Sequence, residues 1–158
     1  MSLDSLQFRR ALGRFATGVC VVTASPPGYR SFGVTVNSFS SLSLDPPLVL
    51  WSLQKNSDTM EAFAAATQYC VNVLAEDQQP LSGRFAKKGE HDLEASQYRA
   101  GETGLPVLHG TLAAFECAID ARHDGGDHVI LVGRVQAMHY PEPGRPLLYF
   151  DGGYRQLG

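Results

Sequence analysis

The segment with the most chemical content runs through residues 33–50, Gly-Val-Thr-Val-Asn-Ser-Phe-Ser-Ser-Leu-Ser-Leu-Asp-Pro-Pro-Leu-Val-Leu. A strand-like run of β-branched residues passes there into small hydroxyls with no glycine among them. Small side chains let a planar ligand come close to the backbone, whose N–H groups then donate to ring carbonyls and nitrogens. Hydroxyls and the Asn37 amide add donors at fixed positions. A flavin ring fits a wall of that kind. Taken alone, the same run also describes a serine-rich bulge and turn that closes a β-barrel.

Other catalytic patterns are missing. No G-x-G-x-x-G follows a strand. The stretch Gly13-Arg14-Phe15-Ala16-Thr17-Gly18 has P-loop glycine spacing but continues as Val19-Cys20, where that loop needs Lys and then Ser or Thr. No G-x-S-x-G elbow is present. His123, Asp124, Asp127 and His128 flank one turn, yet their spacing matches no zinc pattern and both aspartates are ordinary turn formers, so no metal is expected.

The elements that must position such a wall belong to a chain of 158 residues with 13 basic and 16 acidic side chains, a net charge of −3. That balance offers no cationic footprint for a nucleic-acid backbone. A chain of this size buries one core, so residues 1–158 are expected to form a single domain. Demanding chemistry then has to come from a bound cofactor or a second subunit. Cys20, Cys70 and Cys117 each sit in an apolar run without a C-x-x-C pair and read as buried, reduced thiols. The first ten residues lack the apolar stretch of a secretory signal, and no segment approaches roughly eighteen apolar residues, so a cytoplasmic protein without a membrane span is expected.

Apolar residues Leu6, Phe8, Leu12 and Phe15 recur at helical spacing, with Asp4 or Ser5 as the cap. Strands are predicted over residues 19–25, 30–37, 48–53, 68–74, 111–122 and 128–139, with a last short one at 147–150. Helices are predicted over 56–66, where Asp58 and Glu61 have capping-box spacing, and over 78–85. Residues 87–105 are polar and glycine-bearing and read as a loop, or as a short helix around 93–98. This order lacks βαβ alternation, which points to a mostly antiparallel barrel with added helices.

Six blocks then occur in order. They are Phe8-Arg9-x-Ala11-x-Gly13-x-Phe15-Ala16-Thr17-Gly18-Val19, the serine-rich segment ending in Asp45-Pro46-Pro47, Asn56-Ser57, and Leu81-Ser82-Gly83-Arg84-Phe85-Ala86. Gly126-Asp127-His128-Val129-Ile130-Leu131-Val132-Gly133-Arg134-Val135 and Leu147-x-Tyr149-Phe150-x-Gly152-Gly153-Tyr154-Arg155 complete the set. Together they resemble the flavin reductase-like family. The resemblance implies a mainly β protein with flanking helices, a six- to seven-stranded antiparallel split β-barrel of the FMN-binding type. It also implies a homodimer that uses NADH or NADPH to reduce FMN or FAD, often for a separate monooxygenase.

By the same resemblance Thr35, Val36, Asn37 and Ser38 face the isoalloxazine ring, largely through backbone groups, and Ser40 and Ser41 lie toward its ribityl and pyrimidine side. Ser52, Leu53, Lys55 and Ser57 approach the ribityl phosphate, where a cation, a hydroxyl and the positive end of a helix together suit a dianion. Arg84 points to phosphate, Phe85 packs on the flavin or its adenylate extension, and Tyr154 with Arg155 lies by the dinucleotide. His128 faces the nicotinamide side, orienting that ring or supplying a proton near neutral pH, with Asp127 fixing the turn or the imidazole. Val129 and Arg134 depart from the family, which often has a threonine and an acidic residue there, and residues 87–105 match none of its blocks.

Hydride transfer from nicotinamide C4 to flavin N5 needs stacked rings and a donor near N1 and the C2 carbonyl, and few catalytic side chains. The alternative on the same barrel is a flavin- or haem-binding protein without turnover. A pyridoxine phosphate oxidase would need more basic residues than this chain offers.

Overall fold

The computed structural model describes residues 2–158. Asp4 starts helix α1 (Ser5–Leu12) by accepting from the N–H groups of Leu6 at 2.9 Å and Gln7 at 3.4 Å, as the sequence predicts. None of its residues is buried, and Leu6, Phe8, Leu12 and the following Phe15 all stand exposed. The amphipathic face exists, but none of the described residues covers it.

The chain continues through β1 (Thr17–Gly18), β2 (Cys20–Ala24), β3 (Phe32–Val36), β4 (Ser40–Leu44) and β5 (Pro47–Gln54). The serine-rich run therefore forms a strand, β4, whose pairing with β5 shifts register between Ser41 and Ser43. Next come α2 (Met60–Ala65), β6 (Gln68–Val73), α3 (Gln79–Phe85), β7 (Tyr98–Ala100) and β8 (Pro106–Leu108). The long strands β9 (Ala113–Gly125) and β10 (His128–His139) precede the short β11 (Leu148–Phe150) and β12 (Gly153–Arg155).

Seven strands form one antiparallel sheet in the order β3-β2-β6-β9-β10-β5-β4, flanked by the small sheets β1-β11-β12 and β7-β8. The sheet curls until its ends meet. Ser38, just past the edge strand β3, donates its hydroxyl to the Ser52 carbonyl at 3.1 Å and accepts the Ser52 N–H at 3.0 Å, although four strands separate β3 from β5. This is a split barrel. Alternate residues of β5, Val49, Trp51 and Leu53, point into its core, where Trp51 packs edge-on against Phe63 at 5.0 Å and Tyr69 at 5.6 Å between ring centroids. The three cysteines are free and buried; burial pushes the thiols of Cys20 and Cys117 up to about 12 and raises that of Cys70 as well, so all three are unreactive packing groups.

Gly133 in β10 shows how tight this core is. A Cβ there would fall 2.3 Å from the Tyr69 hydroxyl oxygen and 2.8 Å from Cys117 Cβ. Tyr69 is held in place by donating to the Leu131 carbonyl at 3.2 Å. Gly133→Ala is therefore expected to cost about 1–3 kcal/mol by overpacking, read as a lower thermal midpoint. An unchanged midpoint would refute it.

Residues 87–105, expected as a loop or a short helix, begin as an irregular stretch up to Glu94 and then form regular elements. The short helix expected around 93–98 forms as a single 3-10 turn at Ala95–Gln97, which leads into the β7-β8 hairpin. Before that, the chain runs along the open edge of β3: Gly33 N–H donates to the His91 carbonyl and Leu93 N–H to the Ser31 carbonyl, both at 2.9 Å. The edge of the sheet is thereby covered. Polar side chains hid this pairing, because its partners lie nearly sixty residues upstream and leave no local period.

Candidate active site

A cavity of about 380 Å³ opens beside the ends of β3 and β5. Thr35, Val36, Asn37 and Ser38 line it from β3 and its extension, and Ser52 and Leu53 from β5. The turn after β5 adds Ser57 and Asp58. His128 reaches the cavity because β10 begins opposite Gln54, the last residue of β5. Lys88 and His91 come from the segment laid along β3.

Most hydroxyls of this wall are engaged within the protein. Thr35 donates to the Ser82 carbonyl at 2.7 Å, which ties β3 to α3, and Ser38 is committed to Ser52. Ser57 shares a hydrogen bond with the Thr59 hydroxyl at 2.8 Å and accepts the Thr59 N–H at 3.1 Å. Small residues thus shape the wall and bring backbone close to the cavity. The Asn37 amide has no side-chain hydrogen bond among the described residues and lines the cavity as an available donor and acceptor.

His128 stands at the mouth of this site. Its Nδ1 lies 2.7 Å from an Asp127 carboxylate oxygen, which fixes the ring's rotation and leaves Nε2 without a partner among the described residues. The hydrogen bond from His128 holds the Asp127 carboxyl below the usual carboxylate range.

Other residues singled out from sequence lie elsewhere. Lys55 pairs with the Asp124 carboxylate at the β9-β10 turn, and this hydrogen bond lowers the Asp124 pKa. Arg84 donates to the Asp92 carbonyl at 2.8 Å, sits 3.6 Å from Glu94 and covers the Phe85 ring. Phe85 is fully buried in a second core cluster with Val21, Leu74 and Leu147. Ser40 and Ser41 are exposed on β4. Tyr154 lines a separate cavity of about 270 Å³ that shares Thr35, Val36 and Asn37 with the first, and its hydroxyl meets that of the buried Ser82 at 2.6 Å.

Asp58, Lys88 and His91 line the cavity without having been singled out for it. Asp58 has capping-box spacing, but Thr59 occupies the N-cap position of α2 without a side-chain cap and the Asp58 carboxylate bonds elsewhere. Lys88 and His91 belong to the segment that looks like an unpatterned loop. Only its placement along β3 brings them in.

The donor set suits a flavin nucleotide: Val34, Val36 and Leu53 would offer apolar contact to a ring, the Asn37 amide could bond ring heteroatoms, and Lys88 with Ser57 would offer charge and a hydroxyl to a phosphate. Residues 12–158 match the family described as flavin reductase like domain. The chain belongs to this family, and it is an oxidoreductase of the flavin reductase class.

Among its relatives is an FMN reductase (NADH), SmoA, of Agrobacterium fabrum, 49% identical over 96% of this chain and 85% of that one. Flavin reductase PheA2 in its native state superposes with a TM-score of 0.90 at 38% identity, covering 99% of each chain. The NADH:FAD oxidoreductase SgcE6 of Streptomyces globisporus, solved in complex with NAD and FAD fragments, has a TM-score of 0.91 at 34% identity over 100% of this chain and 98% of that one.

Proposed function

We propose that this chain, acting as one domain, takes hydride from NADH or NADPH to reduce FMN, with FAD as a second acceptor, and releases the reduced flavin to a separate monooxygenase. The observation that carries the reading is the cavity bounded by a small-residue wall, with an oriented imidazole beside it. Flavin supplies the hydride-accepting N5 and the nicotinamide nucleotide supplies the hydride. What the protein contributes is placement. The wall at residues 35–38 would present backbone and the Asn37 amide to the ring, Leu53 would keep water from it, and Lys88 would offset the phosphate charge while Ser57 offers it a hydroxyl.

His128 Nε2 orients the nicotinamide or moves a proton at the open side, and Asp127 holds its tautomer. Tyr154, with Ser82 behind it, borders the adjoining cavity and suits the nicotinamide nucleotide. Lys55 and Arg84 act indirectly, by fixing the β9-β10 turn and residues 92–94. The protein is a homodimer in this reading, supported by the uncovered apolar residues of α1 and by Leu42 and Leu44 on β4, the latter 97% exposed. Its three buried, free thiols suit the cytoplasm.

The test is NADH oxidation at 340 nm by purified protein with FMN, then FAD, then NADPH in place of NADH, on a preparation sized by gel filtration. Flavin-dependent turnover by a dimer is expected. A protein that binds flavin but oxidises no NADH above background is a binding module, and the enzyme reading falls.

A further inference from the structure

The cavity of about 270 Å³ that adjoins the flavin cavity has no charged residue in its lining. Apolar walls there surround four polar side chains, those of Thr35, Asn37, Ser82 and Tyr154. A lining of this kind suits a flat, uncharged ring that carries an amide, and it offers no cation to a pyrophosphate. A reduced nicotinamide is such a ring.

Two of the four polar groups are committed to each other's neighbours. Thr35 donates its hydroxyl to the Ser82 carbonyl at 2.7 Å. That carbonyl lies in the last turn of α3, where carbonyls lack an intrahelical donor, and Thr35 supplies one. The Ser82 hydroxyl meets the Tyr154 hydroxyl at 2.6 Å. Ser82 thus holds one wall of the cavity through its main chain and another through its side chain.

Burial sets the direction of the second bond. Ser82 is wholly buried, and the Tyr154 oxygen is the one hydrogen-bond partner of its hydroxyl among the described residues. If Tyr154 donated, the serine proton would be buried without an acceptor, which is costly. Ser82 is therefore the donor, and the phenolic proton of Tyr154 is left for an occupant of the cavity. Tyr149 fixes the plane of the phenol ring: it pairs with Tyr154 across β11 and β12 and packs edge-on against it, with ring centroids 5.5 Å apart.

We propose that Ser82 is a positioning residue for the hydride donor. By donating to Tyr154 it turns the phenolic proton toward the cavity, where it serves the carboxamide oxygen of a reduced nicotinamide. Thr35 and Val36 line both cavities, so a ring held here lies beside the flavin wall. The proposal rests on the flavin reductase reading of the first cavity. It deepens that reading by assigning the nicotinamide end of NADH to this space, with its pyrophosphate and adenosine outside it.

The experiment titrates FMN-saturated protein calorimetrically with the unreactive tetrahydro form of NADH, and measures steady-state oxidation of NADH and of N-benzyl-dihydronicotinamide. The benzyl compound keeps the ring and its carboxamide but has neither phosphate nor adenosine. Tyr154→Phe is expected to weaken binding of the tetrahydro analogue, and to raise KM for both hydride donors, by about fivefold, as for one lost hydrogen bond, with a smaller change in kcat. Ser82→Ala moves the same quantities by about threefold. Added to Tyr154→Phe it does nothing more, because no proton remains to be turned. FMN affinity, followed by quenching of flavin fluorescence, is unchanged in all three variants, since alanine keeps the carbonyl that holds Thr35.

Additive effects of the two substitutions overturn the proposal, as do unchanged affinities in both single variants. An equal loss of FMN affinity overturns it by marking Ser82 as a packing group. A loss seen with NADH and not with the benzyl compound places Tyr154 at the phosphate or adenosine end and overturns it too. In all of these cases wild-type turnover leaves the reductase reading standing. A wild type that binds FMN yet oxidises neither donor removes the reductase reading itself, and this proposal with it.

Discussion

Glu116→Ala is expected to lower the stability of the barrel by about 2–3 kcal/mol, the range for losing hydrogen bonds to a charged acceptor. Glu116 lies near the start of β9 with its side chain wholly buried. Four donors converge on it: the N–H groups of Glu102 at 3.1 Å and Thr103 at 2.9 Å, the Thr103 hydroxyl, and His139 Nε2 at 2.7 Å. Gly101 passes so close that a Cβ on it would fall 2.4 Å from the carboxylate. The alanine variant takes the common acceptor away from these part-buried donors and loosens the turn between β7 and β8. Urea unfolding measures the loss; a change under 1 kcal/mol would show that the turn is held by other contacts.

The same carboxylate predicts a pH dependence. Burial alone pushes the Glu116 carboxyl up, but the hydrogen bonds from the Thr103 hydroxyl, His139 and the two backbone N–H groups outweigh it and hold the group below the usual carboxylate range. A depressed folded-state pKa contributes stability that is fully present above the unfolded value of about 4.3 and is lost as pH falls through the folded value. Wild type is therefore expected to lose stability on acidification more steeply than Glu116→Gln. Parallel curves of unfolding midpoint against pH would sink the assignment.

His128→Ala is expected to reduce kcat/KM for NADH about a hundredfold, the lower range for a positioned proton-transfer group, with a much smaller change in flavin affinity. The expectation follows from the ring's position: it lines the cavity, its Nδ1 is held by Asp127, and Nε2 is the nitrogen left for a ligand. Asp127 is 93% exposed, so Asp127→Asn should cost only a few-fold, by relaxing the ring's orientation. His128→Gln, which restores an amide near the position of Nε2, separates the two roles. If it recovers most of the loss, the ring orients nicotinamide; if it recovers none, the ring moves a proton. Unchanged turnover in the alanine variant at saturating flavin would remove His128 from the chemistry.

Much of the barrel was readable in the chain because its causes are local. The β5 residues Val49, Trp51 and Leu53 alternate inward, as a pleated strand half-facing a core must, and their period of two is written in the sequence. Asp4 caps α1 through donors two and three residues away. One wall of the cavity was legible as well, since the small and polar residues at 35–38 stand together in the sequence and line it where β3 ends.

What the sequence did not contain was the destination of its charges. Asp58 has the spacing of a helix cap and bonds instead to Gly89 and His91; Lys55 and Arg84 look like phosphate ligands and brace loops; Phe85 looks like a flavin contact and fills the core. Glu116 sits unmarked among the apolar residues of β9. Periodicity and capping are set by backbone geometry within a few residues. The partner of a buried or ion-paired side chain is set by which strands the closed barrel brings together, often dozens of residues apart, and only the tertiary structure decides that.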